Sequence, residues 1–425
     1  MKRSIYEKLK IWKNRTGRKP LIIEGARQVG KTYIVDEFGN NEFSKYAKFN
    51  FDMNRQLINI FEEDLDVDRI LSALSAVIGF KIDENTLIFF DEIQVCGKAI
   101  TSLKYFCESK RNFYIIAAGS LLGLSYSGGT GFPVGKVEFL RMYPMSFKEY
   151  LLAENQDILV ELLENKDYAT IKNVKNKFEN YFKTYCLIGG MPEAVSNYIS
   201  NRDFNEVNEI KKNILKSYDL DFSKHASNGK LEKIRMVWNS IPQELSKENK
   251  KFKYSDLKKG ARAKDFESAI QFLVDAGLIY VIKNIKKFTS PILSYANSSC
   301  FKMYILDIGL LSTMNNVSAN IINDMDKIFV EYKGSLAEQF VLNQLLCGGS
   351  ENVCYYADVL GRLEVDFVIE QSDAVVPIEV KSGINLKAKS LNNIIQKSKI
   401  KKAIRYSLAD YKQNDIIEDI PIYTA

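Results

Sequence analysis

The chain has 425 residues, enough for several buried cores, and with 46% hydrophobic and 26% charged residues it reads as an ordinary globular protein. No apolar run approaches the roughly 18 residues of a membrane span. The basic opening "MKRSIYEKLKIWKNRTGRKP" leads into no signal-like apolar core, so a cytoplasmic protein without a membrane partner is expected.

A net charge of +6 is compatible with a polyanionic partner. The single histidine, His225, excludes multi-histidine metal sites and argues against histidine-based triads. Cys96, Cys107, Cys186, Cys300, Cys347 and Cys354 show neither CxxC nor zinc spacing and read as reduced thiols. Catalysis must then rest mainly on carboxylates, lysine, hydroxyls and bound metal.

Leu21–Glu24 reads as a short buried strand. It feeds Gly25-Ala26-Arg27-Gln28-Val29-Gly30-Lys31-Thr32, a full GxxxxGK[ST] match, then Tyr33 and an apolar-periodic helix. That strand, loop and helix order is the context a phosphate-binding P-loop requires. Gly25 and Gly30 let backbone N–H groups close around phosphate, helped by the positive end of the helix. Lys31 is expected to reach the β/γ-phosphates and Thr32 Oγ to ligate Mg²⁺. ATP and Mg²⁺ are therefore the expected ligands, with Gly25 through Tyr33 around the nucleotide.

A second strand, "YAKFNFDM", is followed by a helical stretch, and "TLIFFDEIQ" ends an apolar strand on Asp91 and Glu92. Asp91 can hold the Mg²⁺ shell, and Glu92 can orient and deprotonate an attacking water. The next strand, "FYIIAAGS", ends at Ser120, either a sensor of the γ-phosphate or a plain turn residue. Alternating strands and helices imply an α/β P-loop NTPase fold, with a parallel sheet and nucleotide at its carboxyl edge.

Residues 1–150 resemble the AAA-type ATPases of the archaeal-ATPase group, in which GARQVGKT, FFDEIQ, GS and a later "YPMSFKEYL" recur in this order. The resemblance implies ATP hydrolysis, with Asp91 and Glu92 as the Walker B pair. It makes Arg141, just before the last motif, a candidate arginine finger; a structural ion pair is the competing reading.

Residues 151–228 have a helical pattern, which the resemblance casts as a lid-like segment. The "CLIGGMPEAV" interruption reads as a tight connection between helices. In 229–290, helical segments at Leu231–Leu245, Tyr254–Gly260 and Lys264–Ala276 precede the strand "GLIYVIKN", the shape of a winged-helix domain. Between Lys247 and Lys264, lysines and Arg262 outnumber the acids Glu248 and Asp256, a composition suited to duplex phosphates. The expected recognition helix, "AKDFESAIQFLVDAG", carries acids where a DNA reader places Arg, Asn or Gln. DNA contact and packing against protein both remain open.

In 300–425, "IFVEYKGSLAEQFVLNQLL" has helical spacing and carries Glu338. "NVCYYADVLGRLEVDFVIE" follows with Asp366, then "AVVPIEVKSG" with Glu379 and Lys381, a helical stretch and "KAIRYSL". Glu379 and Lys381, two apart on a strand, share a face. Asp366 and Glu379 on neighbouring strands suit a hard cation such as a second Mg²⁺, with Lys381 beside a metal-activated water; a solvated strand face is the plainer reading. The element order resembles the PD-(D/E)XK nuclease-like fold, with Glu338, Asp366, Glu379 and Lys381 at matching positions. Such folds also serve as inert binding modules.

The whole chain resembles bacterial and archaeal ATP-binding proteins that pair this ATPase with an uncharacterised C-terminal region. The expectation is a Mg²⁺-dependent ATPase coupling nucleotide state to DNA engagement by the winged helix and nuclease-like domain. Its rivals are an ATP-regulated DNA nuclease and a signalling or scaffold ATPase with a protein partner.

Overall fold

The structure is a computed structural model that describes all residues except 110, 121–130, 248–249, 318–333, 373, 384–388 and 399. Glu248, and the first residues of the helix expected from Ile328, therefore lie outside the described residues. No helix among the described residues is long and apolar enough to cross a membrane. The chain divides into two compact units, one formed by Lys2–Tyr143 with Asp275–Gly277 and the other by Pro144–Val274 with Leu278–Ala425.

The N-terminal unit is built on a sheet of β1 (Leu21–Glu24), β2 (Lys45–Asn50), β3 (Thr86–Asp91), β4 (Tyr114–Ala118) and β5 (Glu138–Arg141). The strand order is β2-β3-β4-β1-β5 and every pairing is parallel. Burial follows position in that order. Every residue of the interior strand β3 is buried, whereas the edge strands β2 and β5 are only partly buried. A parallel sheet covered on both faces demands continuous apolar runs at its centre, and "TLIFF" supplies one. Phe51, Phe61, Phe90 and Phe106 form an aromatic chain against one face, with centroid separations of 5.8 to 6.5 Å from Phe90 to the other three rings. The helices Lys31–Glu42 and Gly97–Glu108 follow β1 and β3, so the intervening loops leave the carboxyl ends of buried strands.

The C-terminal unit contains the helices from Phe147–Ala153 to Ala263–Asp275 and a mixed eight-stranded sheet. Its strands are β6 (Ile279–Ile285), β7 (Ala296–Ile305), β8 (Cys354–Ala357), β9 (Glu364–Gln371), β10 (Ala374–Val380), β11 (Ala403–Ser407), β12 (Lys412–Asn414) and β13 (Ile417–Pro421). They run in the order β12-β13-β11-β10-β9-β8-β6-β7. The helices Asn228–Ser246, Tyr254–Leu257 and Ala263–Asp275 precede the antiparallel β6–β7 hairpin. That hairpin also pairs with β8, so the segments expected at 229–290 and 300–425 share one sheet.

The helix Ser335–Cys347 is buried on nearly every side, so its polar Glu338, Gln339 and Asn343 must find partners inside the protein. The Gln339 side-chain amide brackets Ile305, accepting from its N–H at 3.2 Å and donating to its carbonyl at 2.7 Å. Asn343 donates to the Leu306 carbonyl at 2.9 Å. These bonds hold the helix against the end of β7 and so fix where Glu338 points.

The "GGMPEA" interruption is a close-packing device. A Cβ on Gly190 would collide with the Met145 carbonyl, and one on Gly189 with Asp307 and the Gly309 backbone. Asp307 accepts from the Gly190 N–H at 2.6 Å and caps the helix Ile308–Met314 at Leu310 N, 3.0 Å. The buried Lys211 ammonium donates to the Leu187 carbonyl at 2.5 Å. Burial lowers its pKa to about 8, and nearby Asp307 opposes that shift.

Candidate functional site

The N-terminal site is assembled at the carboxyl ends of β1, β3 and β4. Gly25 has φ 146° and Gly30 φ 95°, backbone that only glycine adopts readily. A Cβ on Gly25 would strike the Met142 carbonyl, so this glycine is required by space as well as by torsion. Ala26 and Val29 are buried beneath the loop, and Gln28 sits at φ 66°. The buried Arg3 guanidinium clamps the loop from outside the motif, donating to the Val29 carbonyl at 3.0 Å and the Tyr143 carbonyl at 2.7 Å. Tyr33 is exposed on the first turn of the helix.

Lys31 is buried and donates to the Gly25 and Ala26 carbonyls at 2.8 and 2.7 Å. Burial lowers its pKa to about 8, with Glu92 and Asp91 opposing the shift. The helix it begins has neither a side-chain cap on its first amides nor an acid in its first turn. An uncapped helix start beside a buried ammonium is an anion site.

Thr32 Oγ1 donates to Asp91 at 3.1 Å, and Asn50 Nδ2 donates to the same carboxylate at 3.0 Å. Asn50 is the register partner of Asp91 across β2 and β3. Lys48 lies 3.9 Å from Asp91 and 2.8 Å from Asp36. Burial raises the Asp91 pKa, and the Asn50 bond works against it. A hydroxyl and a carboxylate held together are hard oxygen donors of the kind Mg²⁺ takes, so these residues fit that ion.

Glu92 sits at φ 52°, a strained backbone for a non-glycine residue. Its Oε2 accepts from Gln94 Nε2 at 2.5 Å, and Ser120 Oγ stands 3.5 Å from the same oxygen. Arg27 Nε donates to Ser120 Oγ at 2.9 Å. The P-loop, the end of β3 and the end of β4 thus converge on one place. Arg141 ends β5 opposite Glu24, with its guanidinium 5.7 Å from the Tyr143 ring centroid.

The C-terminal unit brings its four expected residues together as well. Asp366 Oδ2 on β9 accepts from the Val380 N–H of β10 at 2.7 Å. Glu379 Oε1 accepts from Lys381 Nζ at 2.5 Å. Glu338 accepts from Lys250 on one oxygen and from Tyr304 Oη on the other, the latter at 2.8 Å. Lys302, buried on β7, lies 2.6 Å from Glu364.

Burial pushes Asp366 well above the carboxylate range, and Glu338 and Glu379 push it further. Burial also raises Glu379, against the pull of Lys381. For Glu338 burial acts upward, but Lys250 and Lys302 outweigh it and hold its pKa below the usual value. Burial disfavours the Lys381 ammonium, yet Glu379 and Asp366 keep its pKa above the ordinary lysine value. Among the described residues, no three His, Cys, Asp or Glu side chains form a group arranged to hold a metal ion.

Sequence reasoning missed Asn50, Gln94, Arg3, Lys250, Lys302 and Tyr304. Asn50 and Gln94 had a signal, since Asn50 lies within and Gln94 at the end of a strand run that was read.

Residues 17–151 match the family model described as an AAA domain. The N-terminal unit has the fold of a P-loop NTPase. Residues 179–321 and 333–424 match domains of unknown function, DUF8612 and DUF4143. Among solved structures, the chain is similar to the Walker-type ATPase PABY2304 of Pyrococcus abyssi. That match has 15% identity and a TM-score of 0.46, covering 73% of this chain and 94% of the other. It is also similar to the Aeropyrum pernix ORC1 protein in complex with DNA, with 10% identity and a TM-score of 0.28 over 74% and 90% of the two chains. C. elegans PCH-2 matches with 15% identity and a TM-score of 0.27 over 47% and 61%. Curated proteins yield no match to this chain.

Proposed function

We propose that this chain is a Mg²⁺-dependent ATPase whose nucleotide state governs engagement of DNA by the C-terminal unit. The observation that carries the ATPase reading is the convergence of Lys31, Thr32–Asp91 and Glu92–Ser120–Arg27 around an uncapped helix start. Lys31 and the loop amides bind and orient the β/γ-phosphates. Thr32 and Asp91 would hold Mg²⁺, which would neutralise phosphate charge when bound. Glu92 accepts the proton of the attacking water, with Gln94 and Ser120 fixing its carboxylate. Arg27 positions Ser120 rather than reaching the water itself. Arg141 is proposed as the cation that meets transition-state charge.

The DNA reading is supported by exposed cations. Lys253, Lys258, Lys259, Arg262 and Lys264 are all exposed around the helices Tyr254–Leu257 and Ala263–Asp275, the segment read as a winged helix. The element order of the remainder supports a nuclease-like fold used for binding. Alanine at Lys258, Lys259 and Arg262 together is expected to flatten the salt dependence of duplex affinity by roughly 2–3 in log–log slope. A wild-type chain that binds no duplex at low salt would shift the reading to a protein partner.

One gel addresses cleavage. Plasmid incubated with Mg²⁺ or Mn²⁺, with and without ATP, is expected to stay intact with wild type, Lys31→Ala and Asp366→Ala alike. Cleavage lost in Asp366→Ala would instead establish the nuclease.

A further inference from the structure

The carboxylates Glu338, Asp366 and Glu379 already have a cation among them. The Lys250 and Lys302 side chains are 6% and 1% exposed, and each is ion-paired, to Glu338 and Glu364 respectively. Both Glu338 oxygens are engaged, one by Lys250 and one by Tyr304. Asp366 Oδ2 is taken by the Val380 amide and Glu379 Oε1 by Lys381. In this arrangement the cluster fits a divalent ion poorly, because four of its six carboxylate oxygens accept from ammonium, hydroxyl and amide donors and an ammonium already supplies the positive charge.

Lys250 comes from outside the helix and strands that carry the acids. It lies just before Phe252, which fastens this part of the chain beside β7. The Phe252 N–H donates to the Phe301 carbonyl at 2.9 Å, and the two rings stack 5.3 Å apart. Lys250 and Phe252, two residues apart, are both buried, one seated on the acids and one on the sheet.

We infer that Lys250 is the resident cation of the Glu338–Asp366–Glu379 cluster. It closes the cluster against divalent metal and straps residues 250–254 to β7. Metal and strap compete for the same carboxylates, so each weakens the other's hold by the same factor. The exposed Lys253 lies within the strap and Lys258 and Lys259 follow it, so its release would reposition the start of the basic segment.

The inference rests on the nuclease-like reading of this unit, and its test separates the two. Mn²⁺ binding is followed by electron paramagnetic resonance on the full-length, nucleotide-free chain. Lys250→Met, which keeps the side-chain stem and removes the charge, is expected to bind Mn²⁺ about tenfold or more tightly than wild type. Lys250→Arg should stay closed, and adding Asp366→Asn to Lys250→Met should abolish the gain, whereas adding Asp91→Asn should not. Equal Mn²⁺ binding by wild type and Lys250→Met overturns the strap and leaves the nuclease-like reading standing. Absence of binding in a folded Lys250→Met overturns both. Should Lys250→Met fail to fold, Glu338→Gln tests the strap on its own. Trypsin is then expected to cut at Lys250–Lys253 faster than in wild type, and an unchanged rate contradicts the inference.

Discussion

Arg27 and Ser120 are joined by a 2.9 Å hydrogen bond between residues 93 positions apart. The bond links the P-loop to the end of β4, where Ser120 Oγ also faces the Glu92 carboxylate. Ser120 is proposed to hold Glu92 in register with the phosphate cradle. Ser120→Ala is expected to lower kcat by about fivefold, the worth of one hydrogen bond near 1 kcal/mol, with KM little changed. Ser120→Thr should restore most of the loss. An equal change in KM, or no rescue, would make Ser120 an ordinary turn residue.

Asn50 steadies Asp91 from the neighbouring strand at 3.0 Å. Loss of such an outer partner typically weakens metal binding by about 10- to 100-fold. Asn50→Ala should therefore raise the Mg²⁺ concentration for half-maximal ATPase rate by about tenfold, leaving the rate at saturating Mg²⁺ close to wild type.

The depressed Lys31 pKa sets a pH dependence. Its value falls from 10.5 to about 8 on folding, so between those values the unfolded chain holds more protons than the folded one. The Lys31 contribution then makes the nucleotide-free protein more stable as pH rises through that window. Phosphate binding favours the ammonium, so ATP affinity should fall as pH climbs above about 8. Calorimetry near that pH in two buffers of different ionisation heat should detect proton uptake on ATP binding. Any ATP binding left in Lys31→Ala should show less uptake.

The glycines of the C-terminal unit differ sharply in what they permit. Gly190→Ala drives a Cβ into the Met145 carbonyl and is expected to cost about 3 kcal/mol or more. Gly229→Ala, in the helix Asn228–Ser246, meets nothing and should add about 0.5 kcal/mol. Urea midpoints for the two variants should move in opposite directions.

The α/β P-loop fold and the parallel sheet were legible because their signals are local. Gly25 to Thr32 is one unbroken motif, and Asp91 and Glu92 close a strand whose apolar run announces its burial. Lys250 was not legible in that way. Its partner Glu338 is 88 positions distant, and a basic stretch carries no mark of which lysine turns inward. Within Lys247–Lys264, read as a segment whose cations outnumber its acids, two lysines are engaged inside the protein, Lys250 with Glu338 and Lys247 with Glu244 and Asp256. The double glycine at 189–190 was seen as a tight connection, but its contact with Asp307 and Gly309 is set by tertiary packing. The joining of β6 to β8 was equally invisible, because strand pairing at that separation depends on which faces the completed core leaves to cover.

Glu92→Gln tests the central claim most directly. ATP binding and turnover are measured side by side in wild type and this variant. Binding is expected to be retained, with turnover reduced about a hundredfold or more. Turnover equal to wild type would contradict the assignment of Glu92 as the base and the mechanism built on it.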